Sequence, residues 1–203
     1  MLSRLNHSRL LRFAGLFTWG MVGMWLVQLW LDPGGLVLAA EGQGSFDLLV
    51  ARWVALYLTF GGAYWWITRD LGSQRPTLLS HVLLLVLTLC AIGVSYLSST
   101  GLGSILLMVV AGLLPWLLSL RVGIAWLIGG NLVIAPVFVT IGMPLLIAVA
   151  QSLAYVGFSS LVFVTALVAK QQAQAREEQR RLNSELRATR ALLAESTRLN
   201  ERM

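Results

Sequence analysis

The chain has 203 residues, of which 57% are apolar and 12% charged, about half the charged share of a typical soluble domain. Its mean hydropathy is +0.76, and residues 76–120 and 122–169 contain no Asp, Glu, Lys or Arg. These features exclude an ordinary water-soluble domain and predict a polytopic membrane protein. The formal net charge of +6 is spread over membrane flanks and tail, so nucleic acid is not an expected partner.

A short basic arm, residues 1–12, precedes six apolar stretches in chain order. Each stretch has about 20 residues, enough for a helix to cross ~30 Å of hydrocarbon. The expected fold is therefore all-α, a six-helix transmembrane bundle over 13–169 followed by a cytoplasmic, coiled-coil-like helix over 170–203. The predicted spans are about 13–31, 48–67, 78–97, 102–120, 124–143 and 145–169.

The loops predict the orientation of the bundle. The arm and the second and fourth loops contain arginines, whereas the first loop contains three carboxylates and no Lys or Arg, and the third and fifth loops are uncharged. Because basic loops stay in the cytoplasm, both termini are expected there. The expected location is the cytoplasmic membrane. Pro115 and Pro136 fall inside the fourth and fifth spans and are expected to kink them.

Two ionisable side chains within spans are candidates for a sensing role. Arg52 lies about one turn inside the second span, where it would bind a ligand, respond to voltage, or reach the headgroups by snorkelling. His81 enters the third span and would respond to pH. Cys90 is nine residues further along and about 180° around the helix, so these two residues cannot share a metal or haem site.

Asn131 and Gln151 are the deep uncharged polar candidates. They would hydrogen-bond between the fifth and sixth helices or line a pocket for a quinone-like molecule or lipid. The spans contain no Asp or Glu, which argues against an ion-coupled transporter. The chain has no Gly-rich phosphate loop, HExxH or GxSxG motif, so we expect no catalytic residue, metal or cofactor in it.

The tail from residue 170 lacks Gly and Pro and is rich in good helix formers, so the sixth span is expected to continue into it without a break. A heptad can be fitted that gives a short seam, part apolar and part polar. Such a seam favours two packings of similar energy, whereas the alternative is a basic helix resting on anionic lipid. The seam residues are Leu182, Leu186, Thr189, Leu192, Leu193, Ser196, Leu199 and Met203, with Glu185 at one core position.

The stretch LNSELRATRALLAESTRLNERM, residues 182–203, resembles the connector of bacterial sensor histidine kinases of the nitrate-response and desaturase-thermosensor class. In that family a multi-span sensor precedes a two-helix dimerisation domain. An "ER" near the connector's end comes before the box that holds the phosphorylated histidine, and Glu201 and Arg202 match it.

The resemblance implies a homodimer through the tail and, in an intact parent, ATP, magnesium and a response-regulator partner. The chain ends before the histidine box, so it is expected to be the sensor half of a longer kinase or a truncated relative.

The predicted function is thus a membrane sensor that relays a stimulus through the last span to the tail. Because the predicted outer loops are short, the stimulus is expected to act within the bilayer. Two alternatives come from other classes. One is a small six-span transporter or channel, and the other is a membrane anchor whose tail recruits a cytoplasmic protein.

Overall fold

The computed structural model describes residues 7–31, 46–69, 78–98 and 101–202. Within these residues every regular element is an α-helix and no strand occurs, so the predicted all-α class is confirmed. The chain divides into two compact units, Met1–Leu167 and Val168–Met203. The helices are α1 (His7–Leu31), α2 (Phe46–Arg69), α3 (Leu78–Ser98), α4 (Leu102–Leu117), α5 (Leu120–Leu132), α6 (Ile134–Thr140) and α7 (Leu145–Arg202).

Apolar side chains cover the outside of the first unit as well as its core. Trp53 and Phe60 are fully buried, while Phe17 and Leu146 are 71% and 82% exposed. Helices that are apolar around their circumference belong in a membrane. Among the described residues, four helical segments are long and apolar enough to cross one, which indicates a membrane protein; they are Leu10–Val27, Leu78–Ser98, Leu120–Thr140 and Leu145–Arg198. Since α2 and the shorter apolar α4 are not among the four, the count of six spans stays a prediction.

The observed helices overlap the predicted spans, but several begin or end at different residues. Helix α1 already begins at His7, inside the predicted arm. Arg121, the arginine of the predicted fourth loop, instead lies in the first turn of α5, so the turn comes earlier than predicted. The reason is that the chain reverses earlier, through Leu118 and Ser119, whose backbones are extended.

A break separates α5 from α6 at Val133, three residues before Pro136. Proline has no N–H to donate to the carbonyl of Leu132, and its ring crowds that carbonyl. The break therefore lies where the sequence predicts a distortion. Pro115, in contrast, is accommodated near the end of α4, which continues to Leu117.

Helices α1 and α2 pack through three glycines, each of which contacts an aromatic side chain of the other helix. A side chain at any of these glycines would overlap the aromatic group, so the close approach requires a residue without a Cβ. The pairs are Gly15 with Tyr64, Gly23 with Tyr57, and Gly61 with Trp19.

The same aromatic groups donate hydrogen bonds to the backbone of the facing helix. In each case the acceptor is the backbone carbonyl four residues before the contacted glycine. The N–H of that glycine points at the same carbonyl within its own helix. A glycine leaves this carbonyl open to a second donor. The bonds run from Tyr64 Oη to Leu11 O at 2.9 Å, from Tyr57 Oη to Trp19 O at 3.0 Å, and from Trp19 Nε1 to Tyr57 O at 2.9 Å.

Alanine substitutions at the adjacent Gly61 and Gly62 are expected to have opposite effects. A Cβ on Gly61 would lie 2.6 Å from the Trp19 ring, whereas a Cβ on Gly62 meets no atom within 4 Å. Gly61→Ala should therefore destabilise the protein by about 1–3 kcal/mol through overpacking. Gly62→Ala should be neutral or stabilising by up to about 1 kcal/mol through helix propensity. Thermal unfolding of both variants in one detergent measures this, and equal shifts would contradict the packing described above.

The second unit consists of the C-terminal part of α7, and the helix is continuous from Leu145 to Arg202, as the composition predicts. Ion pairs one turn apart support it, Arg181 Nε to Glu185 Oε1 at 3.0 Å and Arg180 to Glu177 at 3.8 Å. Such exposed pairs contribute only a few tenths of a kcal/mol each. The helix therefore gains little stability from its own side-chain pairs.

Candidate functional site

Four polar side chains from three helices meet within the apolar interior of the first unit. They are Thr88 on α3, Trp126 and Asn131 on α5, and Ser159 on α7, and together they form the polar cluster. Thr88, Asn131 and Ser159 are at least nine-tenths buried. Polar groups inside a membrane domain are costly unless they are bonded, and they commonly mark functional positions.

Asn131 connects α5 to α7. Its Nδ2 donates to the carbonyl of Leu127, one turn earlier, at 2.8 Å. Its Oδ1 accepts from the Ser159 hydroxyl at 3.4 Å. This contact joins the fifth and sixth predicted spans, and it is longer than the usual 2.5–3.0 Å of an O–H···O hydrogen bond. These two bonds use half of the amide's four hydrogen-bonding positions.

Thr88 and Trp126 connect α3 to α5 in the same way. The indole Nε1 of Trp126 donates to Thr88 Oγ1 at 3.0 Å, and that hydroxyl donates to the carbonyl of Leu84 at 2.9 Å. The threonine hydroxyl thereby acts as donor and acceptor at once. The cluster therefore ties α5 to a helix on either side, α3 through Trp126 and α7 through Asn131.

A cavity of about 10 Å³ lies within the cluster, lined by Thr88, Trp126, Gly130 and Asn131 together with leucines of α4 and α5. This is about the size of one water molecule. A pocket of this size does not hold a quinone or a drug-sized molecule, which needs several hundred Å³. The cluster is therefore built to link helices, with room for little more than a single water.

The break in α5 lies next to this cluster. Asn131 is two residues before Val133, where the helix is interrupted, and Gly129 and Gly130 come just before it. Val133 still donates to the carbonyl of Gly129 at 3.0 Å, whereas Pro136 has no N–H to donate to Leu132. Helices commonly kink at such a proline. Movement at the junction would reach α7 through the Asn131–Ser159 bond.

The other membrane candidates do not join the cluster. Arg52 is exposed on α2, His81 is exposed in the first turn of α3, and Gln151 is exposed on α7. Cys90 is buried while His81 is exposed, in keeping with their predicted opposite faces. In the described part of the chain, no group of three potential metal ligands comes together. A sensing role for Arg52, His81 or Gln151 stays a prediction.

The seam residues of the tail lie on an exposed helix. Leu182, Leu186, Leu192 and Leu193 are 54–67% exposed. The hydroxyls of Thr189 and Ser196 donate to carbonyls of their own helix, Glu185 O and Leu193 O, both at 2.9 Å. Burial of these hydroxyls at an interface would therefore leave no donor unpaired. Met203 and the side chain of Leu199 lie outside the described residues.

Sequence reasoning missed three members of the cluster: Thr88, Trp126 and Ser159. One signal was available for Ser159, since Ser152 and Ser159 are seven residues apart, and this spacing places them on one face of α7. Both serines are fully buried. No such signal marked Trp126, because the sequence does not reveal that Thr88 lies within hydrogen-bonding distance of its indole.

Comparison with known proteins finds no matching family model, no similar curated protein and no similar solved structure. The likeness of residues 182–203 to a kinase connector therefore stays a prediction.

The Asn131–Ser159 bond is expected to be worth about 0.6 kcal/mol and at most about 1.7 kcal/mol, the range of polar contacts between membrane helices. A double-mutant cycle of Asn131→Leu and Ser159→Ala measures it from detergent unfolding. Ser160→Ala is the matched control, because the Ser160 hydroxyl bonds within its own helix to Val156 O at 2.7 Å. A coupling energy with Ser159 no larger than that with Ser160 would disprove the link.

Proposed function

We propose that this chain is the membrane sensor and signal-transmitting module of a two-component sensor histidine kinase. In this proposal the bundle crosses a bacterial cytoplasmic membrane six times, with both termini in the cytoplasm. The observation that carries it is that one continuous helix, α7, contains both Ser159 of the polar cluster and the exposed tail seam. The likeness of residues 182–203 to a kinase connector adds to it.

The mechanism begins at the polar cluster. A change in lipid state, temperature or a dissolved hydrophobic compound alters the bend at Val133 and shifts Asn131. The hydrogen bond to Ser159 passes this shift to α7. A hydrogen bond of this size biases an equilibrium between two nearly equal packings by several-fold.

The tail converts that shift into a choice between two packings of a homodimer. The stripe of Leu182, Thr189 and Ser196 is common to both packings. One packing adds Leu192, and the other adds Leu193 on the opposite side of the stripe. The polar stripe keeps either packing from becoming permanent, and the four exposed leucines give the helix a reason to dimerise.

In an intact parent, the two packings would set kinase against phosphatase activity. Such a parent binds ATP and magnesium, transfers the γ-phosphoryl group to its own histidine, and passes it to an aspartate of a response regulator. In these steps the residues of this chain would hold the dimer together and set the orientation of the kinase domains, and they would take no part in phosphoryl transfer.

The test is a set of chimeras that join residues 1–203 to the dimerisation and kinase domains of an established kinase of the same class. Four junctions differ by one residue each, so that the helix enters the kinase in four rotational phases. If the helix transmits the signal, kinase activity should vary with the rotational phase of the junction and repeat every ~3.6 residues. Equal output at all four junctions would reject transmission and favour a passive anchor, and solute flux in proteoliposomes would favour a channel.

A further inference from the structure

Two arginines flank an exposed tryptophan where α1 begins and α2 ends. The guanidinium carbon of Arg12 lies 4.8 Å from the centroid of the Trp65 ring. Trp65 and its neighbour Trp66 are 51% and 60% exposed. Arg69 follows Trp65 by four residues in the last turn of α2 and is exposed. Because residues four apart share a helix face, Arg69 lies on the same face of α2 as Trp65, the ring that Arg12 contacts.

Within the described residues of the first unit, no carboxylate lies near these arginines. Within residues 7–31, 46–69, 78–98 and 101–167, the only acidic residue is Asp47. It lies at the opposite end of α2, roughly 33 Å from Arg69 at 1.5 Å per residue. Asp70 adjoins Arg69 in sequence and lies outside the described residues. No described side chain of the first unit forms an ion pair with either arginine, so their charge can attract an external anion.

In a bilayer, the ends of α1 and α2 would bring this charge close to the lipid headgroups. The apolar segment of α1 begins at Leu10, two residues before Arg12, and α2 ends at Arg69. Tryptophan prefers this boundary because its ring is apolar and its N–H is polar. A guanidinium that stacks on a ring keeps its N–H edge available for a bidentate contact with phosphate.

We propose that Arg12, Trp65 and Arg69 form a binding site, the Trp65 site, for the phosphate of an anionic phospholipid headgroup. The arginines hold the phosphate and the indole contacts the glycerol region of the lipid. A lipid fits better than a soluble anion, because the exposed rings of Trp65 and Trp66 give its acyl chains an apolar surface beside the charge. The proposal is independent of the signalling function.

The site also spans the contact between α1 and α2. Arg12 follows Leu11 and Trp65 follows Tyr64, and Tyr64 Oη donates to Leu11 O at 2.9 Å. A bound lipid would therefore bridge both helices at the turn where they are already joined. The bound lipid is expected to stabilise this helix pair.

The experiment is native mass spectrometry of the full chain in detergent, titrated separately with phosphatidylglycerol and phosphatidylcholine. The variant is Arg12→Gln with Arg69→Gln. The matched control is Arg121→Gln with Arg190→Gln, which removes the same charge from exposed positions outside the site. We expect the site variant to bind phosphatidylglycerol at least about tenfold more weakly. The control should stay within about twofold of the parent chain.

Equal weakening in both variants would overturn the site in favour of diffuse charge attraction, and so would equal affinity of the parent chain for the two lipids. Displacement of the lipid by millimolar inorganic phosphate would overturn the lipid assignment. Arg12→Lys with Arg69→Lys keeps the charge but loses the bidentate geometry, and it should fall between the parent and the Gln variant. If the Gln variant does not fold, parent-like binding by the Lys variant overturns the bidentate site.

Discussion

Gly103→Ala is expected to destabilise the first unit by about 3 kcal/mol, the upper part of the range for overpacking. A Cβ at Gly103 would overlap the carbonyl oxygen of Ala91 and lie 2.8 Å from the Ser95 amide nitrogen. Both are backbone atoms of α3, so no side chain can rotate away to make room. Helices α3 and α4 would have to separate, which would disturb a contact of small residues that holds the α3–α4 pair together.

The measurement is thermal unfolding of the full chain in detergent, followed by far-UV circular dichroism. The melting temperature should fall by roughly 5 °C or more. Gly129→Ala is the control, since a Cβ there meets no atom within 4 Å. If Gly103→Ala melts together with Gly129→Ala, the close packing of α3 on α4 is wrong.

Thr189→Leu combined with Ser196→Leu is expected to tighten the tail dimer by at least about tenfold, since each buried leucine contributes about 1.5–3 kcal/mol and part of this offsets the cost of association. Both positions belong to the stripe shared by the two proposed packings. The substitutions therefore remove the polar interruptions that make the packing reversible. Energy transfer between labelled full chains in nanodiscs measures the dimer, and the chimeric kinase reports the output, which should no longer respond to the stimulus.

The matched control is Ser184→Leu combined with Thr197→Leu. It makes the same chemical change on the same helix. Ser184 lies away from the fitted seam, whereas Thr197 lies at its edge, one turn after Leu193, so Ser184→Leu alone is the stricter control. Both hydroxyls also bond within the helix, Ser184 to Arg181 O at 2.7 Å and Thr197 to Leu193 O at 2.9 Å. If the control tightens the dimer as much as the seam variant, or if the seam variant leaves signalling intact, the two-packing seam is refuted.

Much of the helical organisation follows from local properties of the chain. The long uncharged stretches and the helix-forming tail can be predicted to be helical without knowing which helices pack against them. This is possible because a helix satisfies its own backbone hydrogen bonds. The distortion near Pro136 is local in the same sense, since a proline removes a donor wherever it occurs. Arg121 marks the limit of such reasoning. A charged residue between two apolar stretches predicts a turn, yet the chain turns about two residues before Arg121.

The contacts that make up the candidate site depend on tertiary structure and could not be predicted in this way. Asn131 was recognisable as a buried polar residue, but Gln151 had the same claim and is exposed, since the two helices present different faces to the core. The glycines show this most clearly. Gly61 and Gly62 are equivalent in sequence, and only the position of Trp19 makes one indispensable and the other replaceable. Hydropathy and helix propensity depend on a residue and its close neighbours in the chain, whereas a hydrogen bond such as Asn131–Ser159 depends on how helices far apart in sequence are rotated and packed.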